Sequence, residues 1–370
     1  MRSKIGLIKK VIAFNSHKYL GFPKTLPTNL TLGITYRCNS KCKTCNVWNF
    51  PDELKKNELT IEEYEKIFKS IGKNHVMWVT ISGGEPFLRK DIVELCQVID
   101  EELCPGIINI PTNSLLYPVI KNKVKEILNA VSQKTQLVIN LSMDGIKEDD
   151  NFIRGVPHAW NFFVKNYRNL KKLQKKYENL ELGIHSVISV YNYDKIPEIY
   201  EYVIKHFNPD SFITEVAENR VELRTMKDKI TPKADDYDKA IQFLRKKTKD
   251  LMRKRKGLAR ITQAFRFEYY SIASRVLKEK RQVIPCFAGW ASAQIDPFGN
   301  VWPCCIRAIN YGNLRENNYD FRRVWYSRKA SNDRKKIKNK ECYCPLANAH
   351  YTNMLCNPKI MLKIIYRMIK

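Results

Sequence analysis

The chain has 370 residues, 44% of them hydrophobic, with 14 glycines, 16 prolines and no visible repeat or low-complexity tract; this describes a folded protein of one ordinary domain plus a smaller one and excludes a disordered or fibrous chain. No apolar run approaches the roughly eighteen residues a membrane span needs, and Lys9 and Lys10 split the apolar residues of the N-terminus, so the expected location is cytoplasmic and the eleven cysteines read as metal ligands or catalysts. The formal charge of +27 is concentrated in residues 1–24, 245–281, 322–340 and 356–370, and the remainder is close to neutral.

Residues 1–27 open the chain as a basic amphipathic segment, free of acidic groups up to residue 24. From 28 to 234, near-continuous or alternating apolar runs at 30–36, 76–82, 107–112, 137–143, 182–190 and 211–216 each predict a strand. Charged stretches with helical spacing lie between them, the first opening at Thr60 with Glu63 three positions on, as in a capping box. Alternation of this kind predicts an α/β chain of parallel βα units, with the active site at the C-terminal strand ends. Residues 235–281 read as a basic helical connector, and 282–346 as a small Cys-rich α+β domain with a hairpin turn at Asp296, Pro297, Phe298 and Gly299. Residues 347–370 close the chain as a basic amphipathic helix, in which Lys359, Lys363, Arg367 and Lys370 share a narrow sector.

Two cysteine groups carry chemistry. Cys38, Cys42 and Cys45 follow the first predicted strand in TYRCNSKCKTCNVW, spaced C-x3-C-x2-C. Three thiolates on one loop can hold three corners of a cubane and leave one iron open to a cosubstrate, whereas a structural zinc wants four closed ligands. The second group is Cys286, Cys304, Cys342 and Cys344, with Cys356 or Cys305 as substitutes for a ligand. Cys96 and Cys104, among apolar neighbours, read as buried core thiols.

The first spacing, in that position, resembles the radical S-adenosylmethionine (SAM) superfamily, although the aromatic residue usual before the third cysteine is Thr44 here. Gly83, Gly84, Glu85 and Pro86, ending the second predicted strand, match that family's GGEP motif residue by residue. The resemblance implies a partial (β/α)6 barrel in which a [4Fe-4S] cluster on Cys38, Cys42 and Cys45 cleaves SAM reductively to methionine and a 5'-deoxyadenosyl radical. It also implies SAM contacts from the GGEP residues, Asn113, Ser142 and Asp144 (ribose) and Arg154 (carboxylate). CFAGWASAQIDPFGNVWPC, with GNLRE at 312–316, is similar to the SPASM and twitch extensions of the same family, which implies one auxiliary [4Fe-4S] cluster; a structural zinc on the same cysteines is the alternative reading.

These readings predict an oxidoreductase that abstracts hydrogen from a lipid, a lipid-linked sugar or a peptide. Expected partners are an electron donor such as ferredoxin or flavodoxin and, through the basic ends, an anionic membrane surface at the inner face. An RNA-modifying enzyme is the second reading, since +27 is also a nucleic-acid footprint, but no accessory RNA-binding module remains once the domains are assigned. A non-catalytic iron-sulfur or zinc protein is the third, and it leaves GGEP without a role.

Overall fold

The computed structural model describes residues 4–51, 53–254 and 257–369, so Lys370 of the terminal basic sector lies outside the described residues. The six predicted strands form as β1 (Asn29–Gly33), β2 (Trp78–Ser82), β3 (Ile107–Thr112), β4 (Gln136–Ser142), β5 (Leu180–Ile188) and β6 (Ser211–Val216). They lie in chain order and pair in parallel, β1 to β2 from Asn29 opposite Trp78 to Gly33 opposite Ser82.

A helix α1 (Lys4–Leu20) precedes the sheet, and α2 (Ile61–Ile71), α3 (Ile92–Leu103), α4 (Val119–Ala130), α5 (Glu148–Arg154), α6 (Ala159–Gln174) and α7 (Ile196–His206) follow successive strands. Apart from the half-buried Ile107 at the start of β3, the Leu, Ile and Val side chains of β1 to β4 are fully or nearly fully buried because helices cover the sheet, which is why these strands read as apolar runs. The expected capping box starts α2: Thr60 Oγ1 accepts from the Glu63 amide at 3.4 Å, and Glu63 Oε2 accepts from the Thr60 amide at 2.9 Å.

The basic connector is a hairpin of α8 (Ala234–Lys254) and α9 (Gly257–Glu279). The late Cys-rich segment contributes β7 (Ser292–Ile295) and β8 (Val301–Trp302), then α10 (Phe321–Trp325), α11 (Arg328–Lys338), α12 (Ala347–Leu355) and α13 (Pro358–Ile369). Its hairpin turn forms as expected, with Asp296 Oδ1 accepting from the Phe298 and Asn300 amides at 2.9 and 2.8 Å.

This hairpin joins the barrel sheet directly. β7 pairs in parallel with the free edge of β1, Asn29 opposite Ser292, and extends the barrel sheet to eight strands, with β8 antiparallel at the edge. Arg315 reinforces the junction, giving hydrogen bonds of 2.6 and 2.8 Å to the Glu63 carboxylate and one of 2.8 Å to the Asn57 carbonyl.

Helix α13 corrects the lipid-facing arrangement. Ile360 and Ile364 are buried on the protein itself, and Arg367 turns inward to pair with Glu268 and to lie 4.4 Å from the Phe267 ring centroid on α9. Leu362 and Ile365 stay exposed beside Lys359 and Lys363. Cys104 is a second correction: it ends α3 in the left-handed region and is part exposed, whereas Cys96 is fully buried.

Candidate active site

The loop after β1 carries Cys38, Cys42 and Cys45 over the C-terminal strand ends, where all three line one cavity of about 210 Å³. The loop is pinned to the end of α5: Lys41 and Lys43 amides donate to the Arg154 and Ile153 carbonyls at 3.2 and 2.9 Å, and Ser40 Oγ donates to the Arg154 carbonyl at 2.9 Å. Gly155 makes this approach possible, because a Cβ there would meet the Lys41 carbonyl oxygen at 2.2 Å. Burial raises the Cys38 thiol to about 11 and the Cys45 thiol to about 12. Thiolates here therefore want a bound cation, and coordination to iron, which deprotonates a thiol outright, supplies one.

Of the GGEP residues, Gly83, Gly84 and Pro86 line the cavity, and the glycines also make room for a neighbouring loop. A Cβ on Gly83 would meet the Thr35 carbonyl oxygen at 2.2 Å, and one on Gly84 the Arg37 carbonyl oxygen at 2.1 Å. They let the β2 loop lie against the cysteine loop, with the Gly84 amide donating to the Thr35 carbonyl at 2.7 Å and the Glu85 amide to the Arg37 carbonyl at 2.8 Å. Glu85 also departs from its expected place. Fully buried, it spends its carboxylate on Thr112 Oγ1 at 2.9 Å and the Asn113 and Phe87 amides at 2.7 and 3.2 Å, clamping the ends of β2 and β3 together. Burial raises its carboxyl to about 7, against the pull of those donors.

Asn113, Ser142, Asp144 and Arg154 all line the same cavity. Asn113 Nδ2 donates to Asn39 Oδ1 at 2.7 Å and reaches Cys38 Sγ at 3.8 Å. Asp144 accepts from Arg154 Nη1 at 3.0 Å and from the Val187 amide at 2.8 Å, so it orients the arginine from just beyond β4. Burial alone would lower Arg154, yet Cys42, Asp144 and Asp150 together hold it well above its usual value, as a permanent cation. Its Nε is buried without a hydrogen-bond partner, a donor left over for an anionic group in the cavity. Thr44 lines the cavity as well, and Trp48, whose Nε1 donates to the Cys45 carbonyl at 3.1 Å, brings the aromatic surface that Thr44 lacks.

The sequence reading missed the opposite wall. His185 at β5, Glu215 at β6, and Glu218 and Arg220 just beyond it all face the cavity. Arg220 Nη2 lies 3.0 Å from Glu218 and 3.4 Å from Glu215, and His185 Nε2 is 3.7 Å from Glu215. Burial raises Glu218 to about 7 despite Arg220. The available signal was charged residues in TEVAENRVEL directly after a predicted strand, at the end where the cysteines lie.

The second cysteine group also assembles. Cys286, Cys304, Cys342 and Cys344 line one small cavity of about 20 Å³. Gln282 organises its rim, accepting from the Cys286 amide at 3.1 Å and donating to the Cys342 carbonyl at 3.3 Å. Cys305 packs instead with Leu346 and Ala349, and Cys356 with Phe14, Phe287 and Ala291, so neither substitute lines the cavity. Among the described residues, no three His, Cys, Asp or Glu side chains converge on a single-ion site. Each cysteine group lines a single cavity, the arrangement a cubane held by thiolates at its corners requires.

Three thiols on a loop at the open end of a parallel barrel, with a second set of four beside its first strand, define an iron-sulfur barrel protein. Residues 32–203 match the radical SAM superfamily and residues 286–345 match SPASM, an iron-sulfur cluster-binding domain, and the chain belongs to the radical SAM superfamily, with SAM and [4Fe-4S] clusters as its cofactors. The antilisterial bacteriocin subtilosin biosynthesis protein AlbA of Bacillus subtilis is 24% identical over 307 residues, which cover 80% of this chain and 59% of AlbA. The PqqA peptide cyclase of Bradyrhizobium diazoefficiens is 25% identical over 323 residues, covering 83% of this chain and 75% of the cyclase. The fold is similar to that of Streptococcus suis SuiB bound to precursor peptide SuiA, with a TM-score of 0.61 at 17% identity over 92% of this chain and 74% of SuiB.

Proposed function

We propose that this chain cleaves SAM reductively and uses the resulting radical to abstract hydrogen from a peptide substrate. The observation that carries the reading is one cavity ringed by Cys38, Cys42 and Cys45, the spare donor of buried Arg154, and a polar wall opposite. When bound, a cluster with one open iron supplies the electron that breaks the sulfur-carbon bond of SAM. The protein's own work is placement. Arg154, held by Asp144, offers Nε to the SAM carboxylate; Ser142 and Asn113 offer polar contacts at neighbouring strand ends; Trp48 shields the cysteine loop from water. His185, Glu215, Glu218 and Arg220 lie where a substrate entering from the other side meets charge and hydrogen-bonding groups, and Glu218 can hold or release a proton near neutral pH.

A peptide is favoured over a sugar or nucleic acid by the names of the relatives, two of which refer to a bacteriocin and a peptide cyclase, and by the precursor peptide held in SuiB. The four-cysteine set closes its cluster, which favours passing an electron over ligating substrate, and an external donor such as ferredoxin or flavodoxin would serve the first cluster. A peripheral position on an anionic membrane is the second reading. Exposed Leu362 and Ile365 beside Lys359 and Lys363 favour it, and no helix among the described residues is long and apolar enough to cross a membrane.

Anaerobically reconstituted protein with dithionite should form 5'-deoxyadenosine from SAM, and the variant with Cys38, Cys42 and Cys45 all replaced by Ala should form none. Equal yields from the two proteins would reject the assignment.

A further inference from the structure

The auxiliary cysteine cavity adjoins a buried lysine of α1. Lys18, near the end of α1, is only 5% exposed. Its Nζ donates to the Cys286 carbonyl and lies 4.6 Å from the ring centroids of both Phe287 and Trp290. Among the described residues no ion pair with a carboxylate forms at Lys18. An ammonium withdrawn from water is costly unless a counter-charge meets it, and one carbonyl with two ring faces offsets only part of that cost. Arg307, which also lines this cavity, differs: its Nε is met by Asp333 at 3.0 Å.

The counter-charge for Lys18 therefore has to come from the Cys286 side. Four thiolates around a [4Fe-4S] cubane carry net negative charge, and charge and hydrogen bonding near the sulfurs set the potential of such a cluster. We propose that Lys18 is a positioning residue acting through the auxiliary cluster: its ammonium is the counter-charge at the Cys286 corner and raises the cluster's reduction potential. A one-electron reduction, with dithionite as the donor in the test below, adds one negative charge to the cluster. A fixed cation beside it favours the reduced form. Helix α1 thereby becomes part of the auxiliary site, although it lies more than 260 residues before Cys286 in the chain. This inference rests on the four cysteines holding a cluster.

The test uses full-length protein with Cys38, Cys42 and Cys45 changed to Ala, so that only the auxiliary cluster reports. Iron and sulfide are measured first; about four of each per chain, the content of one cubane, establish the cluster before Lys18 is touched. Their absence would remove the cluster reading and this inference with it. Lys18→Met, Lys18→Gln and Lys18→Arg are then compared by EPR-monitored dithionite titration. The neutral variants should keep their iron and show a reduction equilibrium weakened roughly tenfold, a fall of about 59 mV for a one-electron couple, while Lys18→Arg stays near the parent. An unchanged potential in the neutral variants overturns the proposal. So does loss of iron from both neutral variants with retention in Lys18→Arg, because Lys18 would then hold the cluster in place without tuning it.

Discussion

Arg154 shows how a single residue serves both site and fold. Its guanidinium is held by Asp144, is flanked by Asp150 and Cys42, and has Nε to spare. Removing it leaves Asp144 buried without its cation, so Arg154→Ala should lower unfolding free energy by about 3–5 kcal/mol. It should also weaken SAM binding at least tenfold by calorimetry on reconstituted protein, and unchanged binding would remove Arg154 from the SAM site. Glu218 lends itself to a pH test. Its folded value of about 7 lies above its ordinary 4.5, so its contribution to stability is complete below pH 4.5 and is lost as pH rises through 7. Gln mimics the protonated acid. Denaturant unfolding of cluster-free Glu218→Gln should lack a decline of up to about 3 kcal/mol that this group adds to the wild type across that window. Parallel profiles for the two proteins would mean that Glu218 does not titrate there.

At the scale of elements, the Arg315 to Glu63 contact joins the late domain to α2 and also completes the α2 cap. Hydrogen bonds from Arg315 hold Glu63 down at about 2, below its ordinary 4.5. A depressed carboxyl stabilises the fold above the unfolded value and loses that effect as pH falls through the folded one. Arg315→Gln should therefore cost about 1–3 kcal/mol at pH 7, with the difference from wild type shrinking between pH 4.5 and 2 in cluster-free protein. A constant difference would place the effect on the Asn57 carbonyl instead. The cap was legible in sequence because it is local, Thr60 with Glu63. Its second use was not, because Arg315 lies 252 residues away.

For the molecule as a whole, the basic ends have been divided between internal and external duties. Ile360, Ile364 and Arg367 of α13 are spent on the protein, and Lys18 of α1 on the auxiliary site, which leaves fewer groups for a membrane than the helical wheel suggested. Basic groups at an anionic surface contribute roughly 1 kcal/mol each, so the remaining face can support reversible binding only with its exposed apolar side chains. Leu362→Ser with Ile365→Ser keeps the buried face of α13 and should reduce sedimentation with anionic vesicles at moderate salt. Identical sedimentation would make this face an ordinary solvated one.

The positions of the six strands, the βα alternation and the cysteine loop after β1 were determined by the sequence alone, because apolar runs, turn residues and C-x3-C-x2-C spacing are local signals. Tertiary structure decided the rest. Only packing shows that Gly83 and Gly84 make room for the cysteine loop, that Glu85 ties two strands together rather than facing the cavity, and that β7 closes on β1. Four cysteines spread over 59 residues gather in one cavity while Cys305 and Cys356 are left outside it. Each of these is a contact between segments far apart in the chain, and no periodicity or spacing within one segment encodes which distant surface it will meet.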